Sequence, residues 1–158
     1  MDKSEIIKKI ISELEKRLES LDEEIKDNHE FAIKAPGAME SHSDTSKFQF
    51  SRLAANLQSD YDKISESIKL LKKIDINKKS NRIEEGSIIK IKEGDKILFN
   101  ILLPSVGGGI IVSDGDIQIT SISASSPLGK ELIGKKEEDE VEIKLPSGIK
   151  SFTILEII

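Results

Sequence analysis

Two regimes of apolar spacing divide the chain. In residues 4–34, apolar side chains fall at Ile7, Ile11, Leu14, Leu18, Leu21 and Ile25, in alternating steps of four and three. This spacing holds one seam on one face of an α-helix. Asp2, followed three residues later by Glu5, can open that helix with a capping box, while Glu13, Glu15, Lys16, Arg17 and Glu19 suit its solvated face. Residues 44–75 repeat the pattern at Phe50, Leu53, Leu57, Tyr61, Ile64, Ile68 and Leu71. Two such seams joined by residues 35–44 are predicted to pack antiparallel. Pairing Ile7 with Leu71 and Ile25 with Leu53 sets the midpoint at Met39, next to Pro36-Gly37, which cannot continue a helix. An arm of about thirty residues is about 45 Å long, more than a small domain needs for its own core.

Between Lys72 and Arg82 the seven-residue repeat is lost, and five basic side chains (Lys72, Lys73, Lys78, Lys79, Arg82) accumulate in a polar stretch. This stretch reads as a solvated linker, with contact to an acidic partner as the other reading. Beyond it the period becomes two. Ile89 and Ile91 face Ile97, Phe99, Ile101 and Leu103 across a turn at Glu93-Gly94-Asp95; Ile110 to Val112 and Ile117 to Ile122 flank Asp114-Gly115; Val141, Ile143 and Leu145 meet Phe152 and Ile154 across Pro146-Ser147-Gly148. About five strands are predicted around one short helix, which has Ser126 at the N-cap, Pro127 in first position, Leu128 and Leu132 facing inward and Gly134 as its stop. The fold class is therefore α+β, with an antiparallel coiled-coil hairpin over residues 1–79 (tip at about 35–44) and a small β-sheet domain over residues 80–158.

Composition narrows the function classes. Charged residues make up 34% of the chain and aromatics 4%, without Trp, which fits an elongated helical element with much solvated surface. A net charge of −5 disfavours a nucleic-acid binder held by phosphate contacts and leaves a protein partner as the default. The absence of Cys removes disulfides, thiol catalysis and Cys-ligated zinc. With no long apolar run and no signal-like segment at the start, the expectation is a soluble cytoplasmic protein.

No conventional catalytic constellation is present. His29 and His42 lack a third ligand at metal spacing and read as surface residues. Gly107-Gly108-Gly109 lacks the Lys-Ser/Thr of a phosphate loop and reads as a flexible strand connection. At the tip, Glu40 and Asp44 could hold a metal, or Asp44 could cap the second helix, with Ser41 beginning a capping box.

The stretch from Ile122 to Gly148 carries Ser126-Pro127-Leu128, then Leu132-Ile133-Gly134-Lys135, an acidic turn, a Val141-centred strand and Pro146-Ser147-Gly148, ending in Phe152-Thr153-Ile154-Leu155-Glu156. This order resembles the C-terminal domain of Gre-type transcription elongation factors. The resemblance implies an FK506-binding-protein-like (FKBP-like) C-terminal fold that docks at the rim of the secondary channel of bacterial RNA polymerase, through Ser125, Ser126, Pro127 and Leu128. The hairpin would then enter the channel. In cleavage-stimulating members, tip carboxylates act on a Mg²⁺ of the polymerase, here Glu40 and Asp44, and the factor binds no cofactor alone. The implied partner is the polymerase, with indirect contact to backtracked RNA, no membrane, no sequence-specific DNA and a monomeric state.

The family tip carries an Asp-Leu-x-Glu-Asn-x-Glu-Tyr pattern. The local likeness Glu24-Ile25-Lys26-Asp27-Asn28-His29-Glu30-Phe31 falls inside the first arm, and Glu40 and Asp44 stand four apart where the family has three. Two functions fit: an elongation factor that stimulates the polymerase's own RNA cleavage, or a channel-binding regulator that blocks or reshapes the active centre. A coiled-coil scaffold is the third reading. Prolyl isomerisation is excluded because Phe99 and Phe152, the aromatics of the C-terminal half, are too few to line a proline pocket, and a fold alone transfers no function.

Overall fold

A computed structural model describes residues 1–34, 44–75, 78, 80–146 and 148–158. Two long helices come first, α1 (Lys3–Lys34) and α2 (Asp44–Leu71), followed by β1 (Ile88–Glu93), β2 (Lys96–Leu103), β3 (Ile111–Asp114), β4 (Ile117–Ser123), α3 (Pro127–Leu132), β5 (Glu140–Leu145) and β6 (Gly148–Ile157). The six strands form one sheet in the order β3-β4-β2-β1-β6-β5, one strand more than the apolar alternation predicts. The expected α+β arrangement of a helical hairpin followed by a sheet domain with one short helix is what the chain adopts.

At its start α1 is capped by Asp2, whose Oδ1 accepts from the backbone N–H of Ser4 at 2.9 Å and of Glu5 at 3.3 Å. The Glu5 carboxylate pairs with Lys9 at 3.0 Å. In the sheet, β1 and β2 pair in register through the two-residue loop Gly94-Asp95, and β3 and β4 through Gly115-Asp116. Gly94 and Gly115 take φ of 58° and 59° at the first loop position, the conformation a type II′ hairpin turn requires there. The pair β2–β4 is parallel. Between β4 and β5, which lies at the far edge of the sheet, the chain passes through α3.

The sheet is buried on both faces. On one face Ile88, Ile101, Leu103, Val112 and Ile119 share a core with Ile6, Ile7, Ile10 and Leu14 of α1 and Ile64, Ile68 and Leu71 of α2. On the other, Ile89, Ile91, Leu102, Ile122, Val141, Ile143, Phe152 and Ile154 enclose Leu132 of α3 and Ile83. The base of the hairpin is thus packed onto the sheet, and α1 adds polar ties: Lys9 Nζ donates to Ser113 O at 2.9 Å, and Lys3 Nζ to Ile158 O at 3.1 Å. Partial burial lowers the pKa of the Lys3 amine, and the nearby Glu84 carboxylate offsets part of that shift.

The coiled-coil seam differs from its sequence reading in two places. Leu53, assigned to the seam, is 46% exposed, and the neighbouring Ala54 is fully buried instead. Phe50, Ala54, Leu57, Tyr61, Ile64, Ile68 and Leu71 keep the alternating four and three steps, so a small residue lets the helices approach where Leu53 was expected to fill the gap. Near the base, Ile6 and Ile10 are fully buried although they lie off the predicted seam, because this part of α1 has two partners, α2 and the sheet. The polar stretch after α2 is engaged with its own chain as well: Lys72 pairs with Glu15 at 2.9 Å, Lys78 with Glu84 at 2.8 Å, and Arg82 Nη1 donates to Gly134 O at 3.0 Å.

Candidate functional site

The segment after β4 is built from serines. Ser121 and Ser123 point the same way on β4, since alternate strand residues share a face, and Ser125 follows in the loop. Ser126 caps α3: its Oγ accepts from Gly129 N at 3.0 Å and donates to Ser123 O at 2.7 Å. Pro127 at the first helical position loses nothing, because that N–H would have no partner in the helix. Leu132 is fully buried and Leu128 half-buried against the same core, and Gly134 takes φ +79° after the last turn, as a helix stop does. Cap, first-turn proline, inward leucines and stop glycine all stand where the sequence placed them.

One residue in this motif escaped the sequence reading. Gly129 is buried against the backbone of β4's end, and a Cβ there would lie 2.0 Å from Ser123 O and 2.9 Å from Ser123 C. Only glycine lets α3 sit this close. A glycine in the middle of a six-residue helix was the available signal, since the conformation itself does not require one and close packing is the remaining reason.

The loop over residues 104–110 lies beside this motif. Ser125 Oγ donates to Ser105 O at 2.6 Å, Ser123 Oγ donates to the same carbonyl, and Ser125 N donates to Ser123 Oγ at 3.2 Å. Ser121 Oγ donates to Gly107 O at 2.6 Å and accepts from Ile110 N at 2.8 Å. The glycine triplet therefore belongs to a loop held by hydrogen bonds, contrary to the flexible connection expected from its composition. Ser125 and Pro127 are exposed, and Ser126 and Leu128 half-buried, so the four residues assigned to docking form one continuous patch whose shape is set from beneath by Ser105, Ser123 and Gly129.

The tip residues cannot be described in the same way. Glu40 lies outside the described residues, and Asp44 begins α2 with its side chain outside them, so the metal and capping readings of this pair fall there too. Among the described residues, no group of three or more His, Asp or Glu is placed to hold a metal ion, and no helix is long and apolar enough to cross a membrane. The stretch Glu24-Ile25-Lys26-Asp27-Asn28-His29-Glu30-Phe31 lies within α1, as the apolar repeat placed it; Ile25 is buried in the seam, and Glu24, Asp27 and His29 are exposed.

A family model described as transcription elongation factor GreA/GreB, C-terminal, matches residues 77–158, just over half of the chain. The chain belongs to this family. Among curated relatives, the transcription elongation factor GreA of Pelagibacter ubique (strain HTCC1062) is 37% identical over 89 residues, covering 53% of this chain and 51% of that protein. The GreA of Clostridium novyi (strain NT) is 40% identical over 78 residues, covering 48% and 44%. The chain thus matches about half the length of these GreA relatives. Among solved structures, GreA factor homolog 1 (Gfh1) of Thermus thermophilus aligns over 94% of both chains at 18% identity and a TM-score of 0.38. The GreA/GreB match contains the whole serine-built patch and α3.

Proposed function

We propose that this GreA/GreB-family protein is a transcription elongation factor that binds bacterial RNA polymerase. It docks through the patch Ser125, Ser126, Pro127 and Leu128 and inserts the tip of its hairpin into the secondary channel, where Glu40 and Asp44 act on the polymerase's active centre. The observation that carries this reading is the family match over residues 77–158, joined to a hairpin whose helices of 32 and 28 residues run far past their sheet-anchored base. Each helix is about 40–50 Å long at 1.5 Å per residue, enough to reach from a docking site into a channel.

The chemistry belongs to the polymerase. A catalytic Mg²⁺ there favours oxygen ligands and eases formation of the attacking hydroxide, and the tip carboxylates of this chain supply such oxygens. The factor stimulates the polymerase's own hydrolysis of backtracked RNA and carries no catalytic residue of its own. The four-residue spacing of Glu40 and Asp44, against three in the family pattern, favours a second reading, in which the hairpin occupies the channel and slows nucleotide addition without cleavage. A binding measurement with purified bacterial polymerase core tests the common premise. Wild type is expected to form a complex that Pro127→Arg, an exposed substitution, abolishes without lowering thermal stability; absence of a wild-type complex would remove both readings.

A further inference from the structure

We infer that Ser67 on α2 is a positioning residue that sets the angle of the hairpin relative to the docking patch; the inference rests on the polymerase-binding reading above. Ser67 is fully buried on the face of α2 that carries Ile64, Ile68 and Leu71, where a hydroxyl is costly unless it is paired. Its partners lie outside its own helix. Its Oγ donates to Pro104 O at 2.7 Å and accepts from Val106 N at 3.4 Å, both in the loop after β2.

That loop is held from every side. Ser121 binds it at Gly107 O and Ile110 N, and Ser123 and Ser125 bind it at Ser105 O. Ser105 itself takes φ +57°, a left-handed conformation unusual for serine, which these bonds support. Gly107, at φ +110°, sits so close to α1 that a Cβ would lie 3.1 Å from Leu14 Cδ2 and 3.1 Å from Leu103 Cδ1. The same seven residues therefore touch α1, α2, β4 and the Ser125 end of the docking patch.

Apolar burial between the hairpin base and the sheet is non-directional and tolerates sliding, whereas a hydrogen bond fixes distance and angle. Ser67 is the directional tie from α2 to the loop on which the docking patch rests. The lever makes this tie matter: from Ser67 to the start of α2 is about 35 Å at 1.5 Å per residue, so a rotation of about 10° at the base moves the far end by about 6 Å. Displacements of about 1 Å already cost reaction rate when groups must converge.

The cysteine-free chain permits clean spin labelling at the exposed positions Glu23→Cys on α1 and Lys130→Cys on α3. Pulsed electron paramagnetic resonance on the full-length protein should give a narrow distance distribution that Ser67→Ala broadens or shifts. Ile64→Val, which removes a buried methylene from the same helix but no hydrogen bond to the loop, should leave it unchanged. A Ser67→Ala distribution equal to wild type, or equal broadening in Ile64→Val, overturns the inference. On polymerase, Ser67→Ala is expected to lower the maximal effect on transcripts by about threefold or more while the half-saturating concentration moves less than about twofold; the reverse pattern overturns it. A wild type with no effect on polymerase would remove the proposed function, and the distances in the free protein would then decide this inference alone.

Discussion

The hairpin has two ends that look alike in their apolar repeat and differ in what surrounds them. At the base, Ile6, Ile10 and Leu14 of α1 and Leu71 of α2 are almost completely buried, because α1, α2 and the sheet meet there. Toward the tip, the buried residues among those described are Ile25, Ala32 and Ala54, while Phe31, Ile33, Phe48 and Leu53 are exposed. Among the described residues the helices there pack on each other: the rings of Phe31 and Phe50 lie tilted by 32° with centroids 5.6 Å apart, and pairs within one helix, Asp22–Lys26 and Glu30–Lys34, decorate the surface. Such exposed pairs are screened by water and add little to stability. The same repeat thus gives an anchored base and a thinly packed distal half.

Substitutions can break this contrast. Ile10→Ala, at the three-way junction, should lower unfolding free energy by about 2–5 kcal/mol, whereas Leu53→Ala should cost less than about 1 kcal/mol because that side chain is already half in water. Chemical denaturation of the two variants checks the difference, and equal losses would mean that the distal seam is packed as tightly as the base.

At the proposed docking patch, Gly129→Ala must push α3 away from Ser123 O. An overpacking cost of about 1–3 kcal/mol is expected, with loss of polymerase binding larger than the stability loss explains. Ser126→Ala removes the cap and should cost about 1 kcal/mol, read as a lower melting temperature with the hairpin's helicity retained.

The sequence made much of this architecture legible, for reasons that can be traced to particular residues. Heptad spacing revealed the hairpin because each helix buries one stripe against the other, and Ser126, Pro127 and Gly134 revealed α3 because each meets a local backbone requirement. Ile6 and Ile10 were missed because a one-seam reading has no place for a second partner, although the doublets Ile6-Ile7 and Ile10-Ile11 do signal a wider apolar face. Leu53 was assigned to the seam, but close helix approach favours the smaller Ala54. The bracing of residues 104–110 was not legible: it depends on Ser67 and Ser121, far apart in sequence, meeting one loop. The tip pair Glu40 and Asp44 rests on sequence spacing and family resemblance alone.

The smallest expected effect concerns acidity at the distal end of α1. The hydrogen bond from Lys34, followed by its charge, lowers the pKa of the exposed Glu30 carboxyl. A depressed folded-state pKa contributes stability above the unfolded-state value and loses it as pH falls through the folded one. Amide chemical shifts near Glu30 should therefore report slightly less helix at acidic pH, and Glu30→Gln should remove that dependence.

In the proposed function the anchored base aims a working tip at the polymerase's active centre, and the length of RNA in stalled, backtracked bacterial transcription complexes reads this directly. Shortening is expected with the wild-type protein and none with Glu40→Ala/Asp44→Ala, which should still bind polymerase; shortening that persists in the double variant would overturn the role of the tip carboxylates.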